Sequence, residues 1–302
     1  MTKKTKQYMD LYNEFELGQK STRRVAYVVI IVYILMLIAF GAIFLSEYRD
    51  EFFHFLFYRE NFLIIFFPLV LGGGFYFKSI RILSRQYKCL IVYSTLDRVF
   101  EDVEFKPDLG VSPNQLERGG LIAFGDNFKC DDYICGKYKG NFFEQCDVNA
   151  GGFYGRLMIF EFNKDFKFNL RISEKGFPLR KSDKSEYTEF KSRDRIGTES
   201  IAFNDEFDVY SKYDPETFYL LTVQMTERLI KLKNETDGKL LLSFAGNHLY
   251  AAVNSRKNAF EPPVFTKLNI EKESNKVYND IKLITNFVDE LKLDEKIYKT
   301  YI

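Results

Sequence analysis

The chain has 302 residues, with 43 Lys+Arg against 42 Asp+Glu and a formal net charge of +1. A balance this even excludes a whole-chain electrostatic pull toward nucleic acid or an acidic ligand, and four cysteines in so long a chain exclude a disulfide-built scaffold. The average hides two phases, because charges vanish between Val25 and Leu45 and between Phe62 and Phe77 while both signs mix elsewhere.

Residues 1–24 carry Lys3, Lys4, Lys6, Lys20, Arg23 and Arg24 and are expected to form a cytoplasmic tail. The run that follows, Val25 to Leu45, holds about 21 uncharged residues, which as a helix cover about 31 Å, the thickness of a bilayer's hydrocarbon core. A core helix of a soluble protein rarely stays uncharged that long. A cleaved export signal fits poorly, since about two dozen residues precede the run and no small-x-small motif follows it. The second run, FLIIFFPLVLGGGFYF, spans only about 16 residues, or about 24 Å, so it must thin the bilayer locally or draw on Arg59 and Lys78 to snorkel. Pro68 and Gly72 to Gly74 are tolerated in lipid; the glycines either let the first span approach closely, with Ala39 and Gly41 as its candidates, or mark a short kinked helix. Between the runs, FFHFLFY (52–58) reads as an interfacial segment, with His54 at headgroup level.

Cations cluster before the first run and after the second (Lys78, Arg81, Arg85, Lys88), whereas the connecting loop holds only Arg49 and Arg59. Both termini are therefore expected in the cytoplasm. Tyr27, Tyr48, Tyr58 and Tyr76 fall where an aromatic belt would sit.

Residues 78–100 show three-to-four spacing of apolar side chains (Ile80, Leu83, Tyr87, Ile91; Val92, Leu96, Val99), predicting a connecting helix that continues the second span. Residues 101–302 then supply enough chain for a cytoplasmic α+β domain. KPDLGVSPNQLERGG reads as a loop or short helix. RLMIFEFNKDFKFNLRI alternates on either side of Asn163–Asp165, and KLLLSFAGNHLYAAV alternates around Ala245–Asn247, so each predicts a hairpin. Between them a short strand is expected at Phe207–Tyr210. A helix should follow, N-capped by Asp214, with Pro215 and Glu216 in its first turn and Leu221, Met225, Leu229 and Leu232 as its buried stripe. A last helix is expected from Asn275 to Leu291, capped by Ser274, with Val277, Ile281, Ile284, Val288 and Leu291 on its inner face.

The usual catalytic signatures are missing: no phosphate loop, dinucleotide fingerprint, H-E-x-x-H or G-x-S-x-G. GGFYG (151–155) lacks both a Lys and a helix pattern and reads as a hairpin-entry loop. His248 reads as a solvent-facing strand residue. Cys130-x4-Cys135 with Cys146 is too loosely spaced for a zinc turn, and the fourth ligand would have to be His248 or Cys89. Asp131, Asp132, Asp205, Glu206 and Asp208 offer carboxylates that a divalent cation would accept, although alternation places Asp208 on a solvated strand face. KSDKSEYTEFKSRDR (181–195) interleaves both signs and reads as an exposed loop. No catalytic, cofactor-binding or metal-binding residue is assigned and no cofactor is expected.

Tyr87-Lys88, CDDYICGKYKGNFFEQCDV, GRLMIFEFNKDFK, FNDEFDVYSKYDPETFYLLTVQMTERLIKL, LLLSFAGNHLYAAV and Phe260-Glu261 occur in an order that resembles a bacterial membrane-anchored family of unknown function (DUF3137-like). The resemblance runs from about Tyr87 to Leu293 and is most specific at F-x-VYS-x-x-D (Phe207 to Asp214); Pro215-Glu216-Thr217 departs from it. It implies an N-terminal hydrophobic hairpin before the domain and brings no activity or site residue. The reading of the sequence is thus a two-span, multi-pass inner-membrane protein in the lipid bilayer, whose cytoplasmic domain binds a protein partner or forms a homo-oligomer and does not bind nucleic acid. The alternative is a membrane-tethered enzyme with a carboxylate or metal site at Asp131, Asp132 or Asp208.

Overall fold

The computed structural model describes residues 3–45, 50–51, 54, 61–119, 128–150, 153–177, 194–211, 215–257 and 260–293. The chain divides into two compact units, Met1–Val92 with Phe260–Ser274, and Tyr93–Ala259 with Asn275–Ile302.

The first unit is built on two helices, α1 (Lys3–Phe44) and α2 (Asn61–Tyr87), the second running on through a π-helical turn at Lys88–Val92. They lie antiparallel. The Phe15 and Tyr87 rings meet at 6.2 Å, Thr22 Oγ1 lies 3.4 Å from the Ser79 carbonyl, and a Cβ on Gly72 would sit 3.2 Å from Val29. Two solvents are legible in α1. Its N-terminal half buries one stripe, Phe15, Gln19, Thr22 and Ala26, at the three-to-four spacing of a single helix face. From Tyr27 to Ile38 most of its large apolar side chains are exposed.

The stretch Met9–Ala39 is long and apolar enough to cross a membrane, and its most apolar part is largely unburied. Among the described residues it is the one helix that meets this measure. The sequence predicts two spans; of that hairpin, one membrane-length helix is found among the described residues, with α2 packed antiparallel beside it. Helical continuation through residues 78–99 is as expected. Residues 52–58, apart from an exposed His54, lie outside the described residues.

The second unit opens with α3 (Tyr93–Val99) and β1 (Glu101–Lys106), then α4 (Pro113–Gly119) where a loop or short helix is predicted. β2 (Lys129–Tyr138) and β3 (Asn141–Ala150) form a hairpin closed by Lys139 (φ 50°) and Gly140 (φ 77°), the pair of positive angles that a two-residue turn of primed type demands. β4 (Phe153–Glu174), β5 (Arg195–Ile196), α5 (Ile201–Glu206), β6 (Phe207–Ser211), α6 (Pro215–Leu220), α7 (Val223–Glu235), β7 (Lys239–Asn254) and α8 (Ile270–Leu291) follow, α8 being shared, since its residues up to Ser274 belong to the first unit. The strands make one antiparallel sheet of seven in the order β1-β2-β3-β4-β6-β5, with β7 on β4. The α+β expectation holds.

Neither predicted hairpin exists. β4 is one strand of 22 residues and β7 one of 16, and they pair with each other from Arg156↔Val253 to Ser173↔Leu241. The supposed turns lie opposite one another, where the ladder shifts register between Glu161↔His248 and Phe166↔Gly246. Turn-forming residues here supply bulges, with Gly246 at φ 58°, rather than reversals. One glycine that a close approach requires is Gly155, where a Cβ would lie 2.0 Å from the Val253 carbonyl oxygen.

The predicted helix after β6 is two, because Thr222 stops one and N-caps the next, accepting from the Met225 amide at 3.2 Å. Its stripe Leu221, Met225, Leu229 and Leu232 is buried as expected, whereas Asp214 lies outside the described residues. α8 starts five residues earlier than predicted, since Asn269 rather than Ser274 accepts the first-turn amide of Lys272 at 3.0 Å. Val277, Ile281, Ile284, Val288 and Leu291 are buried with Phe287, whose ring stacks on Phe160 of β4 at 6.0 Å. The opposite face of the sheet buries Cys146, Val148, Phe153, Leu157, Ile159 and Tyr250 against Val111, Leu116 and Phe177.

Candidate functional site

Side-chain chemistry concentrates on the sheet face beneath α4. Register places Cys135, Glu144, Ile159 and Tyr250 in one row across β2, β3, β4 and β7. The Tyr133 hydroxyl donates to Glu144 Oε1 at 2.6 Å, and Gln115 of α4 donates from Nε2 to Glu144 Oε2. Burial, helped by the bond to Glu144, pushes the Tyr133 phenol up; burial also raises the Cys135 thiol and the Tyr250 phenol. His248, half-buried with its ring 5.7 Å from that of Tyr250, is pushed below its ordinary value by burial. At neutral pH this face therefore offers a neutral imidazole, a neutral thiol and phenols held in their protonated form. These groups donate hydrogen bonds well and attack poorly.

Cys130 and Cys146 lie at one end of this face with their sulfurs 2.8 Å apart. Two thiolates on one tetrahedral zinc stand about 3.7 Å apart, given Zn–S bonds of about 2.3 Å, so this contact is not a zinc edge. Cys89 is exposed on the first unit, and no three His, Cys, Asp or Glu side chains converge as a metal site among the described residues. The expected solvent-facing position of His248 is corrected to a half-buried one.

The acidic residues do not converge either. Asp131 is exposed opposite Asp147, and Asp132 is buried at φ 54° with its amide on the Pro107 carbonyl. Asp208 sits on β6, three strands from β2 and so about 14 Å away, and pairs with Arg195 at 2.6 Å. Asp205 is exposed, and Glu206 meets Lys233 at 2.7 Å. Neither the Asp131–Asp132 pair nor the group Asp205, Glu206 and Asp208 is part of a cluster of three or more metal-ligating side chains among the described residues.

Two concavities lie on the unit among the described residues. A cleft of about 790 Å³ is floored by Arg156 and rimmed by Asp237, Lys257, Lys276, Asp280 and Lys282. Arg156 is buried and already engaged: its Nε stands 3.5 Å from Asp147 and Nη2 3.9 Å from Asp280, whose backbone carbonyl also accepts from Nη1. Lys257 likewise pairs with Asp237. Interleaved signs leave the cleft without preference for one charge. The second, of about 370 Å³, lies between Gly197–Ser200 and the α6–α7 junction, lined by Phe218, Leu221 and Val223. Around it Ile201 is 78% exposed, Tyr219 75%, Phe218 55% and Val223 54%.

Sequence reasoning misses the Glu144 cluster and this patch. The patch hides in FYLLTV, which reads as one amphipathic helix until Thr222 is recognised as a cap. The Cys130–Cys146 contact hides behind the Lys139–Gly140 turn, whose signal is a Lys-Gly pair between two alternating runs.

No curated protein matches the chain. A crystal structure of the mycobacterial trehalose monomycolate transport factor A, TtfA, is similar at 12% identity and a TM-score of 0.39, covering 70% of this chain and 94% of that one, a likeness too distant to bear on activity. The resemblance seen in the sequence from Tyr87 onward has firmer support over a shorter stretch. Residues 152–293, from the start of β4 to the end of α8, match the family model described as "Protein of unknown function (DUF3137)".

Proposed function

We propose that the chain is a two-span inner-membrane protein of bacterial type, with both termini in the cytoplasm, whose second unit is a protein-interaction module. The topology is supported from within the first unit. α2 runs back along α1, and Gln19 and Arg23 of α1 donate to the carbonyls of Pro263, Val264 and Thr266. With α1 across the bilayer, residues 263–266 share its N-terminal side, and the cations at that end select the cytoplasm. α2 then crosses as a short span, with Lys78 snorkelling and the bilayer thinned around it.

The interaction reading is carried by one observation, the exposed patch of Ile201, Phe218, Tyr219 and Val223 around a pocket in which Phe218, Leu221 and Val223 face Thr198, Glu199 and Ser200. Scattered apolar residues on a surface are ordinary, but large ones gathered at a concavity mark a place where another protein buries a side chain. A photocrosslinker at position 219 in the full chain, in cells, is expected to give a discrete adduct with a partner or a second copy. That adduct should vanish with Ile201→Asp. The absence of any adduct at 219, or an adduct indifferent to the substitution, refutes the reading. Membrane attachment is checked separately: the protein should stay in the membrane fraction through high salt, with a reporter fused after Ile302 active in the cytoplasm.

A further inference from the structure

We propose that Cys130 and Cys146 form a reversible disulfide across β2 and β3, a thiol-modification site that reacts with small-molecule disulfides of the glutathione class. Cys130 pairs with Val148, so Cys146, two residues back along β3, is its diagonal neighbour. Both are free thiols with sulfurs 2.8 Å apart, inside the roughly 3.5–4.0 Å at which unbonded heavy atoms rest. The two differ in access: Cys130 is half-buried and Cys146 is buried. That asymmetry divides the work, one sulfur meeting the reagent and the other resolving it.

The loop over the pair is fitted to it. Asp132 and Tyr133 amides hold the Pro107 and Leu109 carbonyls, both at 3.1 Å. A Cβ on Gly110 would lie 2.2 Å from Cys130 Sγ, so only glycine lets the loop lie this close over the sulfur. Burial and the contact with Cys130 keep the Cys146 thiol protonated, which slows resolution without preventing it.

The chemistry balances with the disulfide reagent as oxidant. Cys130 thiolate attacks one sulfur of oxidised glutathione; its S–S bond breaks, one glutathione thiolate leaves and takes up a proton, and a mixed disulfide remains on Cys130. Cys146 gives up its proton and attacks Cys130 Sγ, forming the Cys130–Cys146 bond and releasing the second glutathione thiol. Two protein thiols are oxidised and one glutathione disulfide is reduced to two thiols. Excess thiol reverses both steps, so in a reducing compartment the pair rests as a dithiol.

The test uses the full chain in detergent, incubated with oxidised glutathione, alkylated and mapped by peptide mass spectrometry. The four free thiols are expected to fall by two, with a peptide linking Cys130 to Cys146 that excess dithiothreitol removes. In Cys146→Ser, glutathione should accumulate on Cys130. Glutathione persisting on Cys130 in the unaltered chain without the linked peptide, linkage through Cys89 or Cys135 instead, or no loss of thiols would each overturn the proposal. The mapping on the unaltered chain stands whether or not the variant folds. Neither result bears on the membrane topology or on the patch at Tyr219.

Discussion

Gln19 and Pro263, 244 residues apart in sequence, are joined by a hydrogen bond of 2.6 Å from the Gln19 side-chain amide, which also reaches the Thr266 carbonyl at 2.9 Å. Gln19 is buried, so removing the amide takes a donor from the Pro263 carbonyl at about 1–3 kcal/mol, while the Thr266 carbonyl keeps Arg23 Nη2 at 3.0 Å. Gln19→Ala is expected to raise hydrogen exchange and proteolysis at residues 260–274 in the detergent-solubilised chain. Unchanged protection there would show that Arg23, donating from Nε to Val264 at 2.8 Å, suffices alone.

The three consecutive glycines of α2 should respond unequally. A Cβ on Gly72 meets Val29 at 3.2 Å, while one on Gly73 or Gly74 meets nothing within 4 Å. Gly72→Leu is therefore expected to push α2 off α1 and lower the thermal midpoint in detergent, and Gly73→Leu to leave it nearly unchanged. Equal effects of the two would remove the packing role assigned to Gly72.

The unit's stability should depend on pH through His248. Burial holds its folded value below the ordinary one of about 6.5. As pH falls, the unfolded chain binds the proton first, so the stability contributed by the neutral ring is complete above the unfolded value and drains away as pH drops below it. Glu161 and Glu144 oppose the shift and Arg118 reinforces it. His248→Gln should lose less stability than the unaltered chain between about pH 7.5 and about pH 5.5, as read from denaturant midpoints. Parallel profiles would contradict this.

Phe287 and Phe160, stacked at 6.0 Å and both fully buried, join α8 to the sheet. Truncation of Phe287 to Ala is expected to cost about 3–5 kcal/mol, and the double variant with Phe160→Ala less than the sum, because each ring fills the void beside the other. Strict additivity in a double-mutant cycle would show that the rings act independently.

These elements also show where the sequence speaks and where it falls silent. Val277, Ile281, Ile284, Val288 and Leu291 announce the inner face of α8 because a 3.6-residue period is local. β4 and β7 do not announce themselves. Asn163-Lys164-Asp165 and Ala245-Gly246-Asn247 have the chemistry of reversals, and only the partner strand, some 80 residues away in the Arg156↔Val253 to Ser173↔Leu241 ladder, decides that they bulge instead. The site suffers from the same blindness. Cys130 and Cys146 are legible as residues but not as neighbours, since their contact depends on the two-residue turn at Lys139–Gly140.

Because β4 carries β3 along its first half and β6 along its second, with β7 beside it throughout, the long β4–β7 ribbon is common property of both halves of the sheet. Neither half can open while the other stays closed without tearing a strand in the middle. A slip by one residue would turn both halves inside out together. Amides near Leu157 and near Ile172 should therefore share a single opening event, exchanging with deuterium at matched rates even though the chain between them is the most irregular stretch of the ladder.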